Sequence, residues 1–127
     1  MIVEGAGGAL VPITDTHSVL DLFRRWSLDV IIVAANRLGV LNHALLTVQA
    51  VRAAGLRIRG IVLVDGVNAD ESCGTNGQLL ARLTKLPVFG FPLLDDPSDA
   101  PSLAAAASRA HLGMLVDDLM QPLSHAT

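Results

Sequence analysis

Val30-Ile31-Ile32-Val33 and Gly60-Ile61-Val62-Leu63-Val64 decide how this chain folds. Each is a short unbroken apolar run rich in β-branched residues, the composition of a strand buried on both faces. Between them Leu41, Leu45, Val48 and Val51 recur at helical spacing over residues 41–54. Asn42 stands where it can cap that helix, and Gly55 where a left-handed residue closes it. A strand, a helix and a second strand at this separation predict a parallel pair joined by a crossover helix.

The pattern continues on both sides. Upstream, Val19, Leu22, Phe23 and Trp26 share one face of a helix over 18–26, with Thr16 or Ser18 as its cap. Met1-Ile2-Val3 reads as a short buried strand that runs into Glu4-Gly5-Ala6-Gly7-Gly8. Downstream, residues 65–77 read as a polar loop and 78–84 as a short helix, and Val88-Phe89-Gly90-Phe91 is a further strand closed by Pro92. Residues 95–101 have the composition of a linker. Residues 102–119 read as one helix, in which Gly113 costs up to about 1 kcal/mol relative to Ala. The expected class is α/β: a parallel sheet with flanking helices, built as a single domain over residues 1–127.

Composition narrows the function. The chain has 127 residues, 51% hydrophobic and 17% charged, with one Trp, three Phe and no Tyr, so its core must be built from Ala, Val, Leu and Ile. Net charge is −3, and Arg24-Arg25 and the arginines between Arg52 and Arg59 form no basic run, which argues against nucleic acid as a partner. The single Cys73 cannot form an internal disulfide and fits a reducing compartment. Met1-Ile2-Val3 meets Glu4 at once, unlike a signal peptide. The longest apolar run, residues 30–35, is far short of the roughly 20 residues that span a membrane. A soluble, cytoplasmic protein is expected.

Ligands of open α/β sheets collect beyond the carboxyl ends of the strands. Four segments are expected there: 4–8, 36–43, 64–68 and 91–99. In the first, the Glu4 carboxylate can hold Mg²⁺ while the glycines let backbone N–H groups approach phosphate oxygens; the plain alternative is a solvated acid in a flexible turn. In the second, the helix start at Gly39-Val40-Leu41-Asn42 can receive a carboxylate or phosphate; the plain alternative is ordinary capping by Asn42. His43 has no evident nucleophile to serve as a base. Asp15, Asp21, Asp117 and Asp118 read as solvated faces or caps, Cys73 as unreactive, and His17, His111 and His125 lack metal-site spacing.

In this order the motifs resemble those of the dethiobiotin synthase family. Val3-Glu4-Gly5-Ala6-Gly7-Gly8 with Val11-Pro12 is similar to the loop after a central strand of that family. Leu38-Gly39-Val40-Leu41-Asn42-His43-Ala44-Leu45-Leu46-Thr47 is similar to its second signature. Gly60-Ile61-Val62-Leu63 and Pro87-Val88-Phe89-Gly90-Phe91-Pro92 match two later strands. The resemblance covers residues 1 to about 100 and implies the C-terminal half of a P-loop NTPase-like, Rossmann-like three-layer fold. It further implies a ligase of biotin biosynthesis that closes a ureido ring from CO₂, 7,8-diaminononanoate and ATP. By resemblance, Glu4 is a Mg²⁺ ligand, and Gly5, Ala6 and Gly7 line the nucleotide and substrate site. Gly39, Val40, Leu41 and Asn42 hold the substrate carboxylate across a homodimer interface, Pro92, Leu93 and Leu94 face the adenine, and Asp99 is an acidic nucleotide contact.

The chain departs from the family in two ways. The phosphate loop of Gly-X-X-X-X-Gly-Lys-Thr type, the lysine after it and a second acidic metal ligand have no counterpart. They are expected before Met1 or on a separate P-loop chain, and without them phosphoryl transfer lacks its charge neutralisation. The asparagine that reads adenine at the end of the third strand is replaced by Val64, followed by Asp65, which leaves nucleotide preference open. Competing readings are a non-catalytic binding or dimerisation module of the same fold and a cobyrinate amide synthase-like fragment; no glutaminase segment with a reactive Cys supports the latter. An uncovered strand edge and apolar helix faces predict a dimer or larger species.

Overall fold

The computed structural model describes residues 1–5, 7–67 and 69–120, with the backbone alone for 118–120. Ala6, Asn68 and His125, each weighed above, lie outside these limits, as do the side chains of Asp118 and Leu119. Among the described residues three parallel strands, β1 (Val30–Asn36), β2 (Ile58–Asp65) and β3 (Val88–Phe91), form a sheet in the order β1-β2-β3. Helix α1 (Val19–Arg25) precedes the sheet. Helices α2 (Val40–Ala53) and α3 (Cys73–Thr84) are the crossovers, and α4 (Ala100–Arg109) and α5 (Leu112–Met120) follow β3. This is a P-loop NTPase-like α/β arrangement, with strands on the apolar runs at 30–33, 60–64 and 88–91 and crossover helices between them.

Side-chain alternation along β2 divides the core into two layers. Ile61 and Leu63 pack with Val40, Ala44, Val48 and Val51 of α2 and Leu80 of α3. On the other side, Gly60 lies under Leu115 of α5, and Ala106, Ala110 and Leu115 are buried. A Cβ on Gly60 would come within 3.2 Å of both the Pro87 carbonyl oxygen and the Phe89 ring and within 3.3 Å of Leu115. The missing side chain therefore sets how closely α5 approaches the sheet.

Several sequence expectations need correction. Met1–Val3 is not a strand: Met1 and Ile2 are exposed, and the segment pairs with no neighbour among the described residues, so an apolar run without ladder partners stays irregular. Strand β1 is not buried on both faces, because Val33 remains 66% exposed. The cap of α2 is Gly39, at φ 93° and with no side-chain hydrogen bond; Asn42 is already inside the helix. Only glycine adopts that backbone without strain. Gly55, at φ 76°, closes α2 as expected.

Helix α3 begins at Cys73 rather than Gln78, because Asp70 and Ser72 organise a turn that carries Gly74 and Gly77 into the helix. Part of the expected linker is helical: Asp99 caps α4 by accepting from the Ser102 N–H at 3.1 Å, and Pro101 sits in the first turn, where no N–H is needed. The long terminal helix is broken at His111, which adopts φ 55°. Ser18, not Thr16, caps α1, in a reciprocal box with Asp21 that holds the Asp21 carboxyl below its ordinary range.

Replacing Gly60 by Ala will lower stability by about 1–3 kcal/mol, the usual cost of overpacking against backbone. The urea midpoint of Gly60→Ala against wild type checks this, and an unchanged midpoint would show that α5 is free to shift.

Candidate functional site

All three strands run parallel, so Asn36, Asp65 and Phe91 end on one edge of the sheet. A hydrogen-bond network ties this edge together. The Asn36 side-chain N–H groups donate to Asp65 Oδ1 at 2.8 Å and to the Cys73 carbonyl at 3.3 Å. Asn36 Oδ1 accepts from Asn76 Nδ2 at 3.0 Å, and that nitrogen also reaches Ser72 Oγ at 3.2 Å. Cys73 Sγ donates to the Asn36 carbonyl at 3.1 Å and accepts from the Asp70 N–H at 3.4 Å. Asn76 is 2% exposed, and a buried amide is tolerated where its polar atoms are paired.

Asp70 extends the network to the start of α2. Its Oδ2 accepts from the Leu38 N–H at 2.7 Å, while Oδ1 accepts from the Ser72 N–H at 2.8 Å and from the Ser72 hydroxyl. The Ser72 hydroxyl first, then the Leu38 and Ser72 amides, hold this carboxyl below its ordinary value of 3.8.

Two cavities flank the first crossover. The larger, about 480 Å³, is lined by Asn36, Asp65, Cys73, Gly74, Gln78 and Gly90 among others. The smaller, about 240 Å³, lies over β1 between Gly7-Gly8 and α2, where His43, Ala44, Thr47 and Val51 face it. Gly7 and Gly8 thus share one cavity with His43, Ala44, Thr47 and Val51 of α2, whereas the helix start at residues 39–42 does not line it.

The candidates from the sequence are dispersed around this edge. Glu4 is exposed and lines neither cavity. Gly5 packs beneath α1, where a Cβ would meet Val19 Cγ1 at 2.8 Å. Gly7 turns at φ 79° on the rim of the smaller cavity. Gly39 and Asn42 are exposed, Leu41 is half-buried and Val40 is buried. Val64 and Asp65 point to opposite sides of β2: Asp65 lines the larger cavity with Leu63, and Val64 faces the α4–α5 side. They do not address the same space. Pro92 and Leu94 are half-buried and Leu93 is exposed just past β3, while Asp99 is engaged as the α4 cap.

Sequence reading placed Asn36 at a strand end without giving it a role, and it missed Asp70 and Asn76 because residues 65–77 read as one loop. The Asp70-X-Ser72 spacing, a common helix-start pattern, was the available signal. It also passed over Arg37, an exposed guanidinium two residues before the Gly39 cap, with no acidic side chain at ion-pair distance among the described residues. The one lysine in the chain, Lys85, lies at the C-terminal end of α3, so this sheet edge holds no lysine for a phosphate. Among the described residues no group of three or more His, Cys, Asp or Glu is placed to hold a metal ion.

The fold and its ligand edge define a class, and comparison with known proteins agrees. The family described as an AAA domain matches residues 1–96. The ATP-dependent dethiobiotin synthetase BioD of Novosphingobium aromaticivorans is 44% identical over 105 residues, 82% of this chain and 50% of that protein. The proteins of the same name from Sphingopyxis alaskensis and Aquifex aeolicus are 40% and 38% identical, over 84% and 76% of this chain and 50% and 44% of their own lengths. The chain belongs to the dethiobiotin synthase family. It spans about half the length of the curated relatives that it matches.

The Asn36–Asn76 pair is expected to behave as a coupled unit. Asn76→Ala leaves Asn36 Oδ1 without its partner and should cost about 1–3 kcal/mol. A double-mutant cycle with Asn36→Ala, read by urea unfolding, should return a coupling of at least about 0.5 kcal/mol; strict additivity would show two independent amides.

Proposed function

We propose that this chain supplies the substrate-positioning and part of the nucleotide-positioning half of an ATP-dependent dethiobiotin synthase. The observation that carries the reading is the joint occurrence of Glu4-Gly5-Ala6-Gly7-Gly8 and Leu38-Gly39-Val40-Leu41-Asn42-His43 in a chain 44% identical to a protein of that name. One end of each motif, Gly7-Gly8 and His43, lines the smaller cavity, which supports it.

In this reading a carbamate forms when one amine of 7,8-diaminononanoate adds to CO₂ with loss of a proton. A carbamate oxygen attacks the γ-phosphorus of ATP, the bond to the β-phosphate oxygen breaks, and ADP leaves. The second amine then attacks the carbonyl of the mixed anhydride, loses its proton and expels phosphate, which closes the ring. The segment Gly39, Val40, Leu41 and Asn42, at the positive end of α2, holds the distant carboxylate of the substrate through the N–H groups of Gly39, Leu41 and Asn42, since the Val40 N–H is bonded to the Arg37 carbonyl. We assign Gly5, Ala6 and Gly7 to the phosphates and residues 92–94 to the base, with Asp65 and Asp99 as polar contacts and Val64 on the face of β2 opposite Asp65.

Mg²⁺, when bound with ATP, neutralises phosphate charge. Of the groups in this chain, Glu4 is the ligand we assign to it, and one carboxylate is not a complete site. The P-loop lysine and the remaining metal ligands must come from another segment or a separate P-loop chain, because the only lysine, Lys85, stands at the far end of α3. Exposed Leu38 and Leu46 at α2 favour a homodimer that covers them. The described residues contain no helix long and apolar enough to cross a membrane, and the lone thiol of Cys73 suits the cytoplasm. Residues 1–127 form one domain in this reading.

The test is reconstitution. This chain and a second polypeptide carrying a Gly-X-X-X-X-Gly-Lys-Thr loop, mixed with 7,8-diaminononanoate, bicarbonate, ATP and Mg²⁺, should release ADP and dethiobiotin, and neither polypeptide should do so alone. Glu4→Gln should reduce turnover at least tenfold. Binding of the diamine without turnover in any mixture would instead identify a non-catalytic module.

A further inference from the structure

We infer that Asp70 is a positioning residue for the ligand-facing start of α2: its carboxylate fixes the Leu38–Gly39 turn and with it the backbone N–H groups of Leu41 and Asn42, the Val40 N–H being bonded to the Arg37 carbonyl at 3.1 Å. The inference rests on the functional reading above for the identity of the ligand, but the mechanical link stands on geometry alone. Asp70 belongs to the β2–α3 loop, thirty-two residues from Leu38. It spends one oxygen on the Leu38 N–H at 2.7 Å and the other on Ser72. Ser72 is in turn bound to Asn76, which is buried and held by Asn36. The turn is therefore clamped from both sides: Asn36 fixes its strand end, and Asp70 fixes the amide two residues later.

The clamp compensates for what Gly39 lacks. A helix start is normally stabilised by a side-chain oxygen from its own cap residue. Gly39 has none, and its φ of 93° is a conformation that glycine enters and leaves freely. Without an external tie, the orientation of the first α2 amides would vary. A carboxylate bound to them would then have to order the turn as it binds, and that ordering would weaken affinity.

The sign of the effect separates this role from bulk electrostatics. Asp70 is anionic and stands beside a site proposed to take an anion. If it acted only through its charge, removing it would tighten carboxylate binding. If it acts by holding the turn, removing it will weaken binding. Arg37, Asp65, Glu71 and Cys73 are the other ionisable groups along this edge, and none of the four accepts the Leu38 N–H.

The test uses the whole chain with 7,8-diaminononanoate as probe. In calorimetric titration Asp70→Ala should bind it about tenfold more weakly than wild type, the scale of one hydrogen bond to a charged group. Asp70→Asn, which keeps an acceptor for one of the two partners, should fall between. In parallel, the Leu38 amide resonance should shift upfield in Asp70→Ala at neutral pH. In wild type it should titrate with a midpoint below 3.8, because a depressed folded-state pKa means that the tie is intact above the unfolded value and lost as pH falls through the lower one.

Unchanged or tighter binding by Asp70→Ala overturns the inference, as does a Leu38 amide indifferent to the substitution. Failure of wild type to bind the diamine while Leu38 responds as expected overturns the functional reading and leaves the clamp in place.

Discussion

The amide of Asn36 is the constraint on which the ligand edge depends. It is the last residue of β1, and its side chain ties two further elements together: the tip of β2 through Asp65, and α3 at two points, its first turn through Cys73 and its buried face through Asn76. Parallel strands align their carboxyl ends but leave the loops beyond them unspecified. A paired polar network in a low-dielectric setting specifies what the strands cannot, since each broken hydrogen bond strands a partner. Through Ser72 and Asp70 the same network reaches the turn that starts α2. The two loops most relevant to a ligand are in this way parts of one body.

How much of this was legible in the sequence depends on the length scale of the cause. Apolar runs at 30–33, 60–64 and 88–91 identified three strands, because burial between helices leaves a compositional mark on every residue. Gly55 was recognisable because the left-handed closure of a helix is a local property. The strand expected at residues 1–3 failed for the opposite reason: a ladder belongs to two segments, and the partner is not written in either one. Val33 shows the same limit, being apolar by sequence and left open by the absence of a covering element among the described residues. Helix α3 is shortened in the sequence reading by its two glycines, whereas its start is set by the local Asp70–Ser72 turn; what the sequence leaves unwritten is the tie from Asp70 to the Leu38 N–H.

The site follows the same division. The Glu4–Gly8 turn and the Leu38–His43 segment were identifiable as motifs, and the fold brings Gly7, Gly8 and His43 to one cavity. The orientation of Val64 and Asp65 was not readable as chemistry until the strand phase was known. Adjacent residues that seem interchangeable along the sequence face different layers of the sheet. Charge tells a related story. The one lysine stands at the far end of α3 from the ligand edge, where Arg37 is the exposed cation.

Trp26 has a practical consequence. It is the sole tryptophan of a chain without tyrosine, it terminates α1, and it is half exposed. Near-ultraviolet emission from this protein therefore comes from a single indole on the helix that packs over Gly5 through Val19 and Phe23. That makes the chain its own optical gauge of the glycine turn, one that needs no label and no engineered fluorophore.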